Sequence, residues 1–331
     1  MKVAVIGAGS WGTTFAKVLA DSGNQVTLYS RRSEIASEIN QHRRNSDYLP
    51  GINLPESVTA TSDLEQALLG AEQIYLAVPS NTLRDFLKQA EGLLGDALLV
   101  SLMKGLESDT QMRMSEVIAQ QSGIDRSRIV VVSGPNLALE IAQQQPAASV
   151  AACSDIDNAM LVAKASSNEY FTVFANQDVI GTELGGVLKN LIALALGIVS
   201  GVGHGQNTKA SILTRGLSEI TRFAVVLGAA RKTMYGLAGL GDLVATGESS
   251  LSRNHRAGEM LGKGYSKREV MKLMSQTAEG LNSVGPVLAL AEEKNLSLPI
   301  IEQLNLVIEG KMPVQDFGNQ LTHETEEAEI E

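Results

Sequence analysis

The chain has 331 residues, 44% of them apolar and 19% charged, with a net charge of −10. This is an ordinary globular composition on a chain long for a single core, so two domains are expected, and the negative balance argues against a nucleic-acid or anionic-membrane binder. A lone cysteine, Cys153, excludes a disulfide framework and points to a reducing compartment, while His42, His204, His255 and His323 show no ligand spacing, so no metal site is expected.

The first predicted element is a strand. Val3-Ala4-Val5-Ile6 runs straight into Gly7-x-Gly9-x-x-Gly12, and a helical pattern follows from Thr13 to Asp21. With a strand at the very start, no signal peptide is expected. Strand, glycine turn and helix in this order are what a dinucleotide pyrophosphate needs. Gly7 permits the tight turn, Gly9 lets the backbone approach the phosphates, and Gly12 lets the helix lie close on the strand. The anion then sits at a helix N-terminus, where unpaired N–H groups and the macrodipole favour it. A plain structural turn is the competing reading of the glycines alone.

Gln25 to Ser30 reads as the second strand. Its end, about 20 residues past the glycines, usually carries a carboxylate for the adenosine ribose. Here Ser30-Arg31-Arg32 stands there instead. Two guanidinium groups suit a 2′-phosphate, so NADP(H) is favoured and NAD(H) remains open. The alternative is a pair of solvated surface arginines.

Further strands are predicted at 73–78, 97–102, 128–132, 147–152 and 171–174, with helical spacing between them at 83–94 and 111–120. Strands alternating with helices imply a mostly parallel sheet covered on both faces, with ligands beyond the carboxyl ends of its strands. Three turns fall at such ends: Ala77 to Asn81, Met103-Lys104-Gly105, and Ser133-Gly134-Pro135-Asn136. Lys104 would face the cofactor side of the sheet, with chance surface placement as the alternative. Cys153 closes a small, apolar run from Ala147 and reads as a buried structural thiol.

After about residue 178 the character changes to helical patterns rich in Gly and Ala, so domains are expected at 1–178 and 179–331. The run from Thr182 to Gly201 is nearly all apolar. Glu183, Lys189 and the glycines 185, 186, 197, 201, 203 and 205 make a core helix a better reading than a membrane span. A Lys inside a buried helix must be paired or reach water, and lysines in that state serve as general acids and bases. Snorkelling to the surface is the alternative for Lys189. The third cluster is Gly239-Leu240-Gly241-Asp242, then Ser252-Arg253-Asn254. Arg253 offers bidentate donors and Ser252 and Asn254 neutral ones, which resembles a phosphate clamp; a surface loop of the same composition is the alternative. Asp242 cannot bind a phosphate and more plausibly partners a cation such as Lys189. Glu279 opens a later helix, as a first-turn carboxylate or a contact to cofactor hydroxyls. The stretch from about 312 to 331 is an acidic tail without Lys or Arg, expected to be solvated.

These clusters, in this order, resemble the prokaryotic-type NAD(P)-dependent glycerol-3-phosphate dehydrogenase family from residue 1 to about 311. The resemblance rests on Gly-Ala-Gly-Ser-Trp-Gly-Thr at 7–13, Tyr48-Leu49-Pro50-Gly51, Ala77-Val78-Pro79-Ser80, Lys104-Gly105 and Ser133-Gly134-Pro135. It continues through Leu188-Lys189-Asn190, Lys209-Ala210, Thr214-Arg215-Gly216, Gly239 to Leu243 and Ser252-Arg253-Asn254. It implies a cytoplasmic enzyme with an N-terminal Rossmann domain (α/β) and a C-terminal all-α domain. The implied reaction is reversible reduction of dihydroxyacetone phosphate to sn-glycerol 3-phosphate, the precursor of glycerophospholipids. By the same resemblance Ser10 and Trp11 meet the pyrophosphate, Arg31 or Arg32 lies near the adenosine ribose, and Lys104 touches cofactor and substrate. Gly134 and Asn136 fall at substrate positions, and Ala138 and Glu279 at cofactor positions. Lys189 matches the proton-transfer lysine. Asp242, Ser252, Arg253 and Asn254 match substrate contacts, and Arg253 also reaches the cofactor. The chain departs from the family pattern at Asn136-Leu137, where Ser or Thr and then Phe are usual. It departs again at Gly203-His204-Gly205-Gln206-Asn207, which lacks the usual Asp, and at Gly247, where Cys is common.

Two rival readings follow from the same residues. A 3-hydroxyacid or phosphogluconate-type dehydrogenase shares the glycine turn and the lysine-asparagine helix, and would use 252–254 for a carboxylate. A non-catalytic dinucleotide sensor would have no need of a Lys in an apolar helix. Helical second domains often dimerise, and the sequence offers no residue-level argument for or against a homodimer.

Overall fold

A computed structural model describes residues 1–249, 252–274 and 278–318 of the chain. The acidic tail from 319 onward and Thr277 lie outside the described residues. Two compact units divide between Glu183 and Leu184.

The first unit is built on one eight-stranded sheet: β1 (Lys2–Ile6), β2 (Gln25–Tyr29), β3 (Val58–Thr61), β4 (Gln73–Leu76), β5 (Leu98–Ser101), β6 (Ile129–Ser133), β7 (Ala147–Ala152) and β8 (Phe171–Asn176). Their order across the sheet is β3-β2-β1-β4-β5-β6-β7-β8. Every pair is parallel except β6 with β7. The chain turns outward in both directions from β1, so the crevice where the order reverses lies between β1 and β4.

Alternation along the strands divides the core in two. Val3 and Val5 face a layer containing α1 (Ser10–Asp21), α2 (Ser33–His42) and, further along the chain, α7 (Ile156–Ser166), through Phe15, Leu19, Ile35, Ile39 and Val162. Ala4 and Ile6 face the opposite layer of α4 (Leu83–Gln89) and α5 (Met114–Ser122), through Leu83, Leu87, Val117 and Ile118. Strands buried on both faces read as the near-continuous apolar runs seen in the sequence. Two short helices, α3 (Leu64–Leu68) and α6 (Ala138–Ala142), complete the unit.

The structure differs from the sequence reading at two places. β3 was not expected. It is a four-residue edge strand with Val58 and Ala60 buried and Thr59 exposed, too short for its alternation to stand out. The predicted helices at 83–94 and 111–120 are observed at Leu83–Gln89 and Met114–Ser122. The chain leaves the helix and turns at Ala90, and Arg113 caps α5 from an extended conformation.

The second unit contains helices only among the described residues: α8 (Val179–Val202, which begins in the first unit), α9 (Gln206–Val226), α10 (Arg231–Met234), α11 (Asp242–Glu248), α12 (Arg253–Gly262), α13 (Lys267–Leu273), α14 (Glu279–Glu293) and α15 (Pro299–Ile308). A π-helical turn, Leu237–Gly241, leads into α11. Helix α8 is long and apolar enough to cross a membrane, yet most of it is buried inside the protein, which makes it a core helix. Its glycines form a packing seam. A Cβ on Gly197 would lie 2.1 Å from His255 O, and one on Gly201 would lie 2.3 Å from Glu259 O. Gly258 and Gly262 on α12 answer them, at 2.0 Å from Leu194 O and 2.4 Å from Ile198 O. Backbone therefore packs on backbone, which brings the start of α12 alongside α8.

Candidate active site

The glycine turn is made by backbone geometry. Gly7 has φ +112°, donates its N–H to Tyr29 O at 3.0 Å, and leaves no room for a Cβ, which would come 2.6 Å from Ala77 O. A Cβ on Gly12 would sit 1.9 Å from Gly7 O, so the first turn of α1 rests on the turn itself. Gly9 differs. It caps α1, and a Cβ there would meet nothing within 4 Å. The first turn of α1 carries no acidic residue, which keeps the positive end of its dipole uncompensated. Two backbone clashes that exclude side chains, one open approach at Gly9 and an anion-favouring helix end fit a dinucleotide pyrophosphate. Ser10 Oγ donates to Tyr48 O at 2.7 Å, and Trp11 packs edge-on against Phe15. Asn45, which the sequence reading missed, braces the turn from outside by donating to Ala8 O at 2.9 Å and Thr13 Oγ1 at 2.8 Å.

At the end of β2 both arginines are exposed. Arg32 precedes α2 and pairs with Asp47 at 2.9 Å, while its guanidinium lies over the Tyr48 ring. At the carboxyl ends of β5 and β6, Lys104 Nζ donates to Gly134 O at 3.0 Å. Gly134 has φ +155°, and a Cβ would meet Ser149 Cα at 3.0 Å, so the Ser-Gly-Pro turn is pressed onto β7. Asn136 Nδ2 donates to Ser149 Oγ at 3.3 Å, and Ser149 in turn donates to Ser133 O at 3.0 Å. Asn136 Oδ1 is buried without a hydrogen-bond partner among the described residues. Ala138 O, at the start of α6, accepts from Thr14 Oγ1 of α1 at 3.2 Å, which ties this turn to the glycine-turn helix.

The loop that follows Lys104 is held at both ends. Arg84 grips Glu107 with two bonds of 2.8 Å, and that guanidinium draws the Glu107 carboxyl down to about 2. Beyond it, Glu183 at the foot of α8 accepts from Ser115 N at 2.9 Å, Ser115 Oγ at 2.5 Å and Arg113 Nη1 at 2.7 Å. Glu183 is buried; burial pushes its carboxyl up, while Arg113 and Ser115 pull it back. In the sequence it was only a break in an apolar run.

The second unit builds its site from side chains. Lys189 is 6% exposed and Asp242 1% exposed. Lys189 Nζ donates to Asp242 Oδ1 at 2.9 Å and to Thr246 Oγ1 at 2.5 Å, and Thr246 Oγ1 donates to Asp242 Oδ1 at 3.2 Å. Snorkelling is excluded by this burial. Thr246 was not assigned from sequence, although it stands four residues after Asp242 and so on the same face of α11. A π-helical turn just before α11 is a known companion of functional sites. At the start of α12, Ser252 Oγ caps the helix by accepting from His255 N at 3.2 Å. Asn254 Oδ1 accepts from Gly280 N at 2.8 Å, and Arg253 reaches Glu279 at 3.9 Å with both side chains part-exposed.

Family models match in two parts. The description "NAD-dependent glycerol-3-phosphate dehydrogenase N-terminus" matches residues 2–159, and the corresponding C-terminus description matches 178–319. The chain belongs to this family. It is 57% identical to the NAD(P)+-dependent glycerol-3-phosphate dehydrogenase of Leifsonia xyli, over 97% of this chain and 88% of that one. It is 50% identical to the same enzyme of Corynebacterium glutamicum, over 99% and 100%. Among solved structures it is similar to glycerol-3-phosphate dehydrogenase from Coxiella burnetii, with a TM-score of 0.90, 35% identity and coverage of 97% and 98%.

Against the family pattern, two departures have a local account. Asn136 reaches Ser149 with its amide, a contact a shorter Ser or Thr would make less easily. A side chain at Gly247 would meet only the Cδ1 of Leu196 closely, at 2.6 Å, and a flexible leucine tip can move. Nothing in the structure explains the missing acid in the turn at 203–207.

Proposed function

We propose that Lys189 gives the proton when this glycerol-3-phosphate dehydrogenase reduces dihydroxyacetone phosphate to sn-glycerol 3-phosphate, and that NADPH is its preferred reductant. The observation that carries the reading is a nearly unexposed Lys189 held by Asp242 and Thr246. A purely structural lysine at that depth is costly, because an ammonium must be desolvated and then paired. When bound at the glycine turn, the reduced nicotinamide supplies the hydride.

Lys189 delivers its proton to the ketone oxygen and takes it back in the reverse direction. Asp242 fixes the direction of the ammonium and offsets its charge, and the Thr246 hydroxyl, which itself donates to Asp242, accepts a second ammonium N–H beside it. Gly7, Gly9, Ser10, Trp11 and Gly12 hold the pyrophosphate, with Arg31 and Arg32 at the adenosine end. Lys104, Ala138 and the turn at 134–136 border the carboxyl ends of β5 and β6, where the nicotinamide end belongs.

Arg253, Asn254 and Ser252 take the substrate phosphate. Their existing bonds decide what they can offer it. Asn254 Oδ1 is occupied by the Gly280 N–H, so its amide NH2 is the group left to donate. Ser252 Oγ accepts from His255 N and keeps its own O–H as a donor. The part-exposed Arg253–Glu279 pair, at 3.9 Å, is loose enough to exchange for a phosphate, which accepts bidentate bonds better than a distant carboxylate.

Steady-state kinetics with dihydroxyacetone phosphate and NADPH test this. Lys189→Met is expected to lower kcat by ~10²–10⁴-fold while cofactor affinity holds, as for loss of a proton donor. Arg253→Ala is expected to act mainly on the KM for the ketone. Near-normal turnover in Lys189→Met would remove the assignment. Activity with 3-keto acids in place of the phosphorylated ketone would favour the hydroxyacid alternative.

A further inference from the structure

Arg32 is not an isolated surface group. Its Nη2 lies 2.9 Å from Asp47 Oδ2, and its guanidinium carbon stands 5.3 Å from the centre of the Tyr48 ring. Both partners belong to a short segment fastened to the glycine turn. Asn45 Nδ2 donates to Ala8 O and Thr13 Oγ1, and Ser10 Oγ donates to Tyr48 O at 2.7 Å. These bonds carry Asp47 to the end of β2, where a dinucleotide fold usually has its ribose-binding carboxylate. A carboxylate therefore stands beside the residues that follow β2, although it comes from a later segment.

We infer that Asp47 is a specificity-determining residue: it competes with the 2′-phosphate of the cofactor for Arg32 and so narrows the preference for NADPH over NADH. The inference rests on the reading above that the arginines after β2 meet the adenosine end. A guanidinium presents planar, paired donors, and Asp47 holds one of them at Nη2, so a bidentate grip on a phosphate through that edge must give this bond up. Arrival of a 2′-phosphate therefore requires Arg32 to leave Asp47 or to share itself between the two anions. NADH carries no 2′-phosphate and leaves the pair intact, so the competition falls on NADPH alone. Tyr48 keeps a face under the guanidinium in either case.

The size of the effect follows from exposure. The Arg32 and Asp47 side chains are 45% and 60% exposed, and exposed ion pairs are weak. A shift of about two- to fivefold is therefore expected on breaking the pair. Asp47 lies on the surface and its replacement by Asn disturbs no buried contact.

Equilibrium titration with NADPH and with NADH gives the ratio of the two Kd values for the native chain, Asp47→Asn, Arg32→Ala and the double variant. Asp47→Asn should move the ratio toward NADPH by the amount above. Arg32→Ala should move it toward NADH, and Asp47→Asn added to Arg32→Ala should change it no further. If Arg32→Ala moves the ratio but Asp47→Asn does not, or moves it toward NADH, the competition is overturned while the arginine reading stands. An Asp47→Asn effect that persists without Arg32 also overturns it. If Arg31→Ala and Arg32→Ala both leave the ratio unchanged, the arginine reading itself fails.

Discussion

The two units hold their functional groups by opposite means. In the first, the glycine turn is shaped by backbone: the Cβ positions of Gly7 and Gly12 are filled by carbonyl oxygens at 2.6 and 1.9 Å. In the second, the site is a buried trio of side chains, Lys189, Asp242 and Thr246, on two helices. The first tolerates no added atom at Gly7 or Gly12, and the second tolerates no lost charge. A pyrophosphate asks for N–H groups and close approach, which glycine gives, whereas proton transfer asks for a titratable group kept from bulk water.

The sharpest way to break the comparison is Asp242→Asn. It removes the carboxylate that faces the buried Lys189 ammonium at 2.9 Å, and loss of one partner from a buried pair costs about 3–5 kcal/mol. Chemical denaturation should show that loss together with a fall in kcat. A variant of native stability would mean that the trio is not charge-dependent.

Next comes Gly12→Ala. A methyl group 1.9 Å from Gly7 O must displace backbone, so destabilisation of at least ~1–3 kcal/mol is expected from overpacking alone. Gly9→Ala is its control. The open position there should leave the melting temperature unchanged while cofactor binding is lost. Equal stability losses in the two variants would contradict a turn in which only one glycine faces the ligand.

Thr246→Val should be milder, at about 1–2 kcal/mol, because the two hydrogen bonds of its hydroxyl go while Asp242 still neutralises the lysine. Its kcat should fall less than that of Lys189→Met. A drop as large as the lysine variant's would make Thr246 an equal partner in proton transfer.

The smallest effect concerns Glu219 of α9, whose carboxylate receives the N–H groups of Ile300 and Ile301 at 3.0 and 3.1 Å at the start of α15. Burial pushes its carboxyl up to about 7, against those two bonds and the nearby Arg222 charge, with Glu302 adding to the rise. A raised value means that the fold favours the protonated form. This contribution is present below the unfolded value of about 4.3 and is lost as pH climbs through about 7. The melting temperature of the native chain should therefore fall relative to Glu219→Gln between pH 5 and pH 8. Parallel curves would show that Glu219 does not titrate in that window.

The glycine turn was legible because its requirements are local. Gly7, Gly9 and Gly12 act within one turn, so their spacing carries nearly the whole geometry. Lys189 was legible as a contradiction, a charge inside an apolar helix, and Asp242 as the carboxylate that could resolve it. Less was legible where partners come from afar. Thr246 could have been found from its spacing to Asp242. Asn45, Asp47 and Glu183 could not, because nothing near them in the chain announces Ala8, Arg32 or Ser115 as partners.

The glycines of α8 make the same point. In the sequence, Gly197 and Gly201 only weakened the case for a membrane span. In the structure they meet Gly258 and Gly262 of α12 backbone to backbone and set where Arg253 begins. The amino-acid sequence by itself determined the class of each unit, the glycine turn and the charged residues to which we assign the chemistry. Those depend on periodicity, on glycine spacing and on charges out of keeping with their surroundings. Tertiary structure alone decided which carboxylate answers which cation, where β3 joins the sheet edge, and that β7 runs against β6. Such choices are made by contacts between residues far apart in the chain, and no local pattern encodes them.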